Sequence, residues 1–165
     1  MLSKTHRLPT ALLAASVLAF GVAMPAHAQY RNKIANDMSL CRGAGPAVLL
    51  TVDGIKSSTG RMRAQVYRAN SGDWLKPGRW LNRVEAKARA GSMSFCLPVP
   101  SSGSYAVAVR HDLDGDGETD LLGDGGAMSN NPAVNIFNLG KPSHTKVAFS
   151  VGNAVKPVKV SMKYR

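Results

Sequence analysis

The chain is poor in acidic residues, aromatic residues and cysteines. Its 165 residues include ten Asp and Glu against 21 Lys and Arg, two Cys, and 6% aromatic residues. It has no Gly-x-Ser-x-Gly, no His-Glu-x-x-His and no phosphate-binding glycine loop. These absences argue against the common hydrolase and nucleotide-binding sites. The sequence therefore predicts a protein that is not an enzyme, and a hydrolase is the least favoured function.

One apolar run, residues 11–24, follows a short cationic start near the N-terminus. A membrane span needs about 20 apolar residues, so this run is too short. Pro25 and the small-residue pattern at 26–28 follow it, as at a signal-peptidase site. We predict a signal peptide over residues 1–28, a mature chain that begins at Gln29, and a periplasmic or secreted location. The alternative is an uncleaved anchor.

Positive charge dominates the rest of the chain. The predicted signal peptide holds two of the 21 basic residues and no acid, so the mature chain would carry a net charge of +9. The basic residues are scattered, which is typical of a solvated surface. Outside the cytoplasm such a charge suggests an anionic envelope partner. The predicted partner is an envelope polysaccharide, peptide or protein, with no nucleic acid and no transmembrane segment after cleavage.

Both cysteines, Cys41 and Cys96, lie in the predicted mature chain. An even pair in an oxidising compartment indicates a disulfide. A metal pair or a nucleophilic thiol is the alternative, but neither cysteine has a neighbouring His or Cys. We therefore predict a Cys41–Cys96 disulfide.

Alternating apolar and polar residues predict strands from residue 47 onward. The seven candidate strands are 48–52, 61–68, 83–89, 93–97, 105–109, 147–151 and 158–164. No convincing amphipathic helix is present. Because each strand has one face to bury, the sequence predicts an all-β, single antiparallel β-sandwich over residues 47–165, after a tail at 29–46. A closed barrel is the alternative.

Two long connections interrupt the strands, at residues 69–82 and at 112–138. Loops of this length are usually functional or tied down. The first contains Trp74 and Trp80, which form either an exposed platform for a ligand or plugs over the open end of the sandwich. We predict that both tryptophans are mainly buried.

The second connection begins with an acidic loop. Six of the ten acids lie within it, in an otherwise basic chain. The spacing of Asp112, Asp114 and Asp116 before Gly117 matches the first half of an EF-hand-type calcium loop. The predicted calcium ligands are Asp112, Asp114, Asp116, Glu118 (through its carbonyl), Asp120 and Asp124.

The acidic loop also departs from that pattern. Its twelfth position is Gly123 instead of a bidentate Glu, so weak affinity is expected. A plain turn is the alternative, because Asp and Gly are good turn formers. Like charges about 4–5 Å apart cost a few kcal/mol per pair, which favours bound calcium over an empty turn.

Several segments together resemble a known family. They are the run from Tyr105 to Gly117, Ser129-Asn130-Asn131, Leu50-Thr-Val-Asp-Gly54 and the segment 60–67. These pieces resemble domain of unknown function 2141, an uncharacterised family of exported bacterial proteins, over about residues 48–164. The resemblance implies an immunoglobulin-like sandwich and an exported protein. It implies no activity.

The residues and the resemblance lead to one functional expectation. The chain is expected to be a calcium-stabilised binding or accessory module of the cell envelope, and a purely structural envelope domain is the alternative. Two histidines, His111 and His144, remain after signal cleavage. His111, at a strand end beside Asp112, is predicted to be a hydrogen-bonded structural residue.

Overall fold

The computed structural model describes residues 30–120, 123–133 and 140–164. The predicted signal peptide lies outside them. Within the described residues the chain forms ten β-strands, a 3₁₀-helix at Met38–Cys41 and one short α-helix, α1, at His144–Val147. The strands are β1 (Asn32–Ile34), β2 (Ala47–Ile55), β3 (Arg61–Arg68), β4 (Asn82–Lys87), β5 (Gly91–Pro98), β6 (Gly103–Asp112), β7 (Gly125–Met128), β8 (Phe149–Val151), β9 (Val155–Ser161) and β10 (Lys163–Tyr164).

The strands described here form two sheets and no closed barrel. The larger sheet has the order β1-β4-β3-β6-β7-β10, and β8 pairs with the other end of β6. The smaller sheet has the order β5-β2-β9. The all-β prediction is confirmed. The prediction of a wholly antiparallel arrangement is wrong, because β1–β4 and β2–β9 are parallel pairs.

One core lies between the inner faces of the two sheets. The alternation in β2 and β3 turns every second residue inward, and the apolar side chains at these positions are fully buried. Burying one such side chain contributes about 1.5–3 kcal/mol, so the periodic positions dominate the stability. The most buried members are Val48, Leu50, Val52, Met62, Ala64, Val66, Val84, Phe95, Leu97, Tyr105, Val107 and Val160.

A second apolar cluster covers part of the outer face of the larger sheet. Trp74 packs edge-on against Tyr67, with ring centroids 5.4 Å apart, and its Nε1 donates to the Pro142 carbonyl at 2.9 Å. Burial raises the pKa of Tyr67 to about 12. Trp80 is half-buried beneath the Arg83 guanidinium, 3.8 Å from the ring centroid. The burial predicted for both tryptophans is therefore confirmed for Trp74 and only in part for Trp80, and both pack in this cluster on a sheet face instead of plugging an open end.

The segment predicted as a tail, residues 29–46, carries two structural elements in its described part. Strand β1 pairs with β4, and the 3₁₀-helix ends at Cys41. The Cys41–Cys96 disulfide joins this segment to β5, as predicted. Closing a loop of 55 residues removes about 4 kcal/mol of unfolded-chain entropy in the usual model.

The C-terminal strands differ most from the sequence prediction. Val147 ends α1 and is buried in the outer cluster, so the strand predicted at 147–151 is only Phe149–Val151. The alternation over 158–164 is divided between β9 in the smaller sheet and β10 in the larger one. The chain changes sheets at Met162, whose N–H donates to the Asp53 carbonyl at 2.8 Å. Strand β7 was not predicted at all.

Candidate functional site

The acidic loop begins at the last residue of β6. Asp112 is 3% exposed, and its carboxylate accepts hydrogen bonds from the Gly115 N–H at 2.8 Å and the Gly117 N–H at 3.1 Å. Gly60, in the β2–β3 turn, lies directly against the Asp112 carbonyl. The loop is therefore fixed at its start by one buried carboxylate.

The next two carboxylates stabilise successive turns of the loop. Asp114 accepts from the Asp116 N–H at 3.2 Å, and Asp116 accepts from the Glu118 N–H at 2.6 Å. Both are exposed. Asp112, Asp114 and Asp116 each place a carboxylate oxygen within 4.8 Å of the others. Three of the six predicted calcium ligands thus form one cluster.

The other three predicted ligands behave differently. Asp124 is buried and closes the far end of the loop, because its carboxylate accepts from the Leu113 N–H at 3.0 Å and the Asp120 N–H at 3.2 Å. Desolvation, followed by the negative charges of the neighbouring aspartates, raises the pKa of Asp120. The side chain of Glu118 is exposed. Hydrogen bonds from backbone N–H groups to the Asp112 and Asp124 carboxylates hold the loop together. The loop nevertheless concentrates negative charge.

Arg110 braces the loop, a role that the sequence did not indicate. Its guanidinium donates to the Gly117 carbonyl at 2.7 Å, to the Glu118 carbonyl, to Thr119 Oγ1 at 2.8 Å and to Asp112 at 3.2 Å. The Glu118 carbonyl, predicted as a calcium ligand, therefore accepts from an arginine in this structure. The carboxylate cluster itself offers the hard oxygen atoms that calcium prefers.

A groove of about 490 Å³ lies beside the acidic loop on the outer face of the larger sheet. Its floor includes Ala108, Gly126 and Met128 from β6 and β7, and Asp120 stands on the side of the loop. A Cβ at Gly126 would have no neighbour closer than the Val109 carbonyl at 4.0 Å. The missing side chain at this position keeps the floor open.

Arginines crowd one end of the groove. Arg63 faces Arg110 across β3 and β6 in direct register, and both line the groove. Glu85 forms salt bridges with Arg63, at 2.9 Å, and with Arg83, at 3.4 Å. Burial, and then the neighbouring charge of Arg63, lower the pKa of Arg83. Alternation places these arginines on the outer face, but the register that brings them together is not readable from one sequence.

Comparison with protein families identifies the chain. The model of DUF2141, described as an uncharacterized protein conserved in bacteria, matches residues 50–159. The chain belongs to this family. The match confirms the resemblance drawn from the sequence and contains the acidic loop and the floor of the groove. No curated protein and no solved structure matches the chain.

One histidine of this DUF2141 chain is held inside the core. His111 is fully buried, with Nε2 2.8 Å from the Thr59 carbonyl and Nδ1 2.7 Å from the Tyr164 hydroxyl. A carbonyl only accepts, so Nε2 donates to Thr59, and the Tyr164 hydroxyl is the hydrogen-bond partner of Nδ1. Both ring nitrogens are satisfied, which agrees with the structural role predicted for His111.

No helix in the part of this DUF2141 chain that the structure describes is long and apolar enough to cross a membrane.

Proposed function

We propose that this DUF2141 protein is an exported binding module of the bacterial cell envelope, and that the groove holds a segment of an envelope polysaccharide. The observation that carries the proposal is the groove itself, whose floor is open at Gly126. Its volume of about 490 Å³ lies within the usual range of ligand sites, about 300–1,000 Å³. No catalytic residue forms part of the proposal.

The floor of the groove favours a polysaccharide over a peptide. Peptides commonly bind by adding a strand to a free sheet edge. Here the floor is built on β6, which is hydrogen-bonded on both sides to β3 and β7. At β6 the floor therefore offers side chains to a ligand and no free row of backbone groups.

The surface also disfavours a membrane partner. Among the described residues, Leu40 is the one large hydrophobic side chain that is exposed, at 51%. A protein that binds a lipid surface by insertion presents a larger apolar face. The polysaccharide is therefore the partner that the surface suits best.

The proposal places the protein outside the cytoplasm. The Cys41–Cys96 disulfide supports this, because disulfides persist in oxidising compartments. The N-terminal segment has the composition of a signal peptide. The proposal also keeps the immunoglobulin-like arrangement, which the shared core of the two sheets supports.

Calcium stabilises the loop beside the groove in this proposal. The cluster of Asp112, Asp114 and Asp116 supports it. Because the Glu118 carbonyl accepts from Arg110 and the twelfth-position Glu is missing, we expect a dissociation constant near the weak end, about 0.1–1 mM. The ion would order the loop and would not take part in a reaction.

The test compares the mature protein with Gly126→Leu in retention on the cell-wall polysaccharide of a bacterium that produces it. A Cβ at this position would lie 4.0 Å from its nearest neighbour, the Val109 carbonyl, so a leucine can be introduced there to occupy the floor. We expect retention of the original protein and at least a tenfold loss for the variant. Equal retention of both would exclude the groove as the binding surface. Retention of neither would favour a structural domain.

A further inference from the structure

The end of the groove at β3 and β6 places two positive charges side by side. Arg63 and Arg110 are directly opposite in an antiparallel pair, and both side chains line the groove. Like charges in such a pair destabilise a sheet. Their side chains are 23% and 12% exposed, so solvent screens them only in part. Such a pair lowers the stability of the folded protein unless other charges compensate the repulsion.

Neighbouring groups compensate the positive charges of these two arginines to different extents. Arg110 uses both terminal nitrogens on the acidic loop, which fixes its guanidinium. Among the described residues, the Arg63 side chain bonds only Glu85, through Nε at 2.9 Å. Its two terminal nitrogens have no hydrogen-bond partner in the part of the chain that the structure describes, and the residue lines the groove. A guanidinium with such free nitrogens can bind the two oxygens of a carboxylate or phosphate together.

The carboxylates bonded to these arginines do not supply that anion. Glu85 is shared by Arg63, Arg83 and Lys33, and Asp112 by Arg110 and two backbone N–H groups. Burial raises the pKa of Glu85, but the charges of Arg63 and Lys33 outweigh it and hold that pKa below its usual value. Three guanidiniums on neighbouring strands thus share two carboxylates.

Positive charge continues along part of the rim of the groove, and Asp120 and Asp124 line the groove at the acidic loop. Lys141 and Lys163 are both exposed and line the groove beyond its floor. The floor between them and Arg63 is uncharged, with Ala108, Gly126 and Met128. A ligand with an acidic group at one end and a neutral ring lying over the floor would match this distribution of charge.

We infer that the groove recognises an acidic sugar, with its carboxylate or phosphate held by the free nitrogens of Arg63 and its ring over Gly126. This inference rests on the proposed function and adds the chemistry of the ligand. Arg63 selects for the anion, and Lys141 and Lys163 attract it electrostatically.

The experiment is calorimetric titration in chelator, so that calcium does not bridge the ligands. The probes are tetragalacturonate, its neutral methyl ester and glucose 6-phosphate. We expect tetragalacturonate to bind at least tenfold more tightly than its ester, and Arg63→Met to weaken it by about tenfold or more. Arg89→Met, a change of the same charge at an exposed position outside the groove, should weaken it less than threefold.

Two further variants keep the test decisive if Arg63→Met is unstable. Arg63→Lys retains the charge and loses the two-pronged geometry, so intermediate affinity is expected. Gly126→Leu leaves Arg63 intact and should abolish binding.

Tight binding of glucose 6-phosphate alone would assign a phosphate-bearing sugar. If tetragalacturonate and its ester bind equally, and Arg63→Met does not change their affinity, the inference is overturned and the proposed function stands. Binding of none of the three probes would overturn the inference, and the retention experiment on cell-wall polysaccharide would then decide the proposed function on its own.

Discussion

Buried aspartates organise two long loops of this protein, Asp73 in one and Asp112 with Asp124 in the other, yet the charges of the two loops are balanced differently. In the loop at 69–81, Asp73 accepts from the Tyr30 hydroxyl at 3.0 Å, Asn70 at 2.9 Å and Arg79 at 2.7 Å. Side chains therefore satisfy the only acid of that loop. In the loop at 113–124, Asp112 is satisfied mainly by backbone N–H groups and Arg110, and five more acids follow it.

This difference is the reason that we propose an ion for the acidic loop alone. Burial raises the pKa of Asp73, but the hydrogen bonds from Asn70, Arg79 and Tyr30 outweigh it and lower that pKa overall. The pKa shift in the acidic loop has the opposite direction, because desolvation and neighbouring carboxylates raise the pKa of Asp120. An unmatched cluster of hard oxygens is what a divalent cation would relieve.

The largest effect should come from the support of the acidic loop. Gly60 has φ of +73°, and a Cβ there would fall on the Asp112 carbonyl, inside van der Waals contact. We expect Gly60→Ala to cost about 3 kcal/mol or more in the free energy of unfolding. Urea unfolding provides the measurement. Gly152→Ala, whose Cβ meets nothing within 4 Å, is the control; equal stability of the two variants would contradict this account of the anchor.

The next largest effect should distinguish the two loops by the stability lost when one aspartate is removed from each. Asp73→Ala removes a buried acceptor and should cost about 2–3 kcal/mol. Asp114→Ala removes an exposed carboxylate from a repulsive cluster, and in chelator it should change stability by less than about 0.5 kcal/mol. Urea unfolding of both variants in chelator tests the pair. A larger loss for Asp114→Ala would reverse the comparison.

A smaller effect is expected from the arginine brace. Arg110→Met should lower the free energy of unfolding by about 1–2 kcal/mol in chelator, because it removes charge-assisted hydrogen bonds to the loop. Calcium should restore part of this loss, since the Glu118 carbonyl is then free. Thermal melts with calcium and with chelator measure both effects. If calcium stabilises the variant less than the original protein, the brace and the ion do not share that carbonyl.

Acid should weaken the first loop. The pKa of Asp73 is lower in the folded protein than in the unfolded chain. Its contribution is therefore complete above the unfolded value of 3.8 and is lost as pH falls through the folded value. Melting temperatures of the original protein and Asp73→Asn between pH 7 and pH 2 isolate this contribution. We expect their difference to shrink below about pH 4; a constant difference would contradict the assignment.

Much of the core could be predicted from the sequence because burial of one face imposes a period of two. This holds for Val48, Leu50 and Val52, and for Met62, Ala64 and Val66. The same period could not show that the last strand changes sheets at Met162, since alternation is kept on both sides. Strand β7 begins with two glycines, which have low strand propensity, and was missed.

The candidate site was predictable only where spacing along the chain determines it. Asp112, Asp114 and Asp116 are close together because they are close in sequence. Arg63 and Arg110 meet through the register of β3 and β6, a long-range pairing that one sequence does not reveal. Sequence spacing therefore indicated the acidic loop, whereas the groove depends on tertiary structure.

The most direct test of the central claim is a calorimetric titration of the mature protein with calcium, paired with thermal melts. At calcium tenfold above the dissociation constant, linkage adds about 1.4 kcal/mol, or a few degrees in melting temperature. The original protein and Asp53→Asn, a change outside the loop, should both show this rise. Asp114→Asn combined with Asp116→Asn should abolish it. No heat of binding and no rise in melting temperature at 5 mM calcium, about fivefold above the weakest expected dissociation constant, would contradict the claim that the acidic loop is completed by a cation.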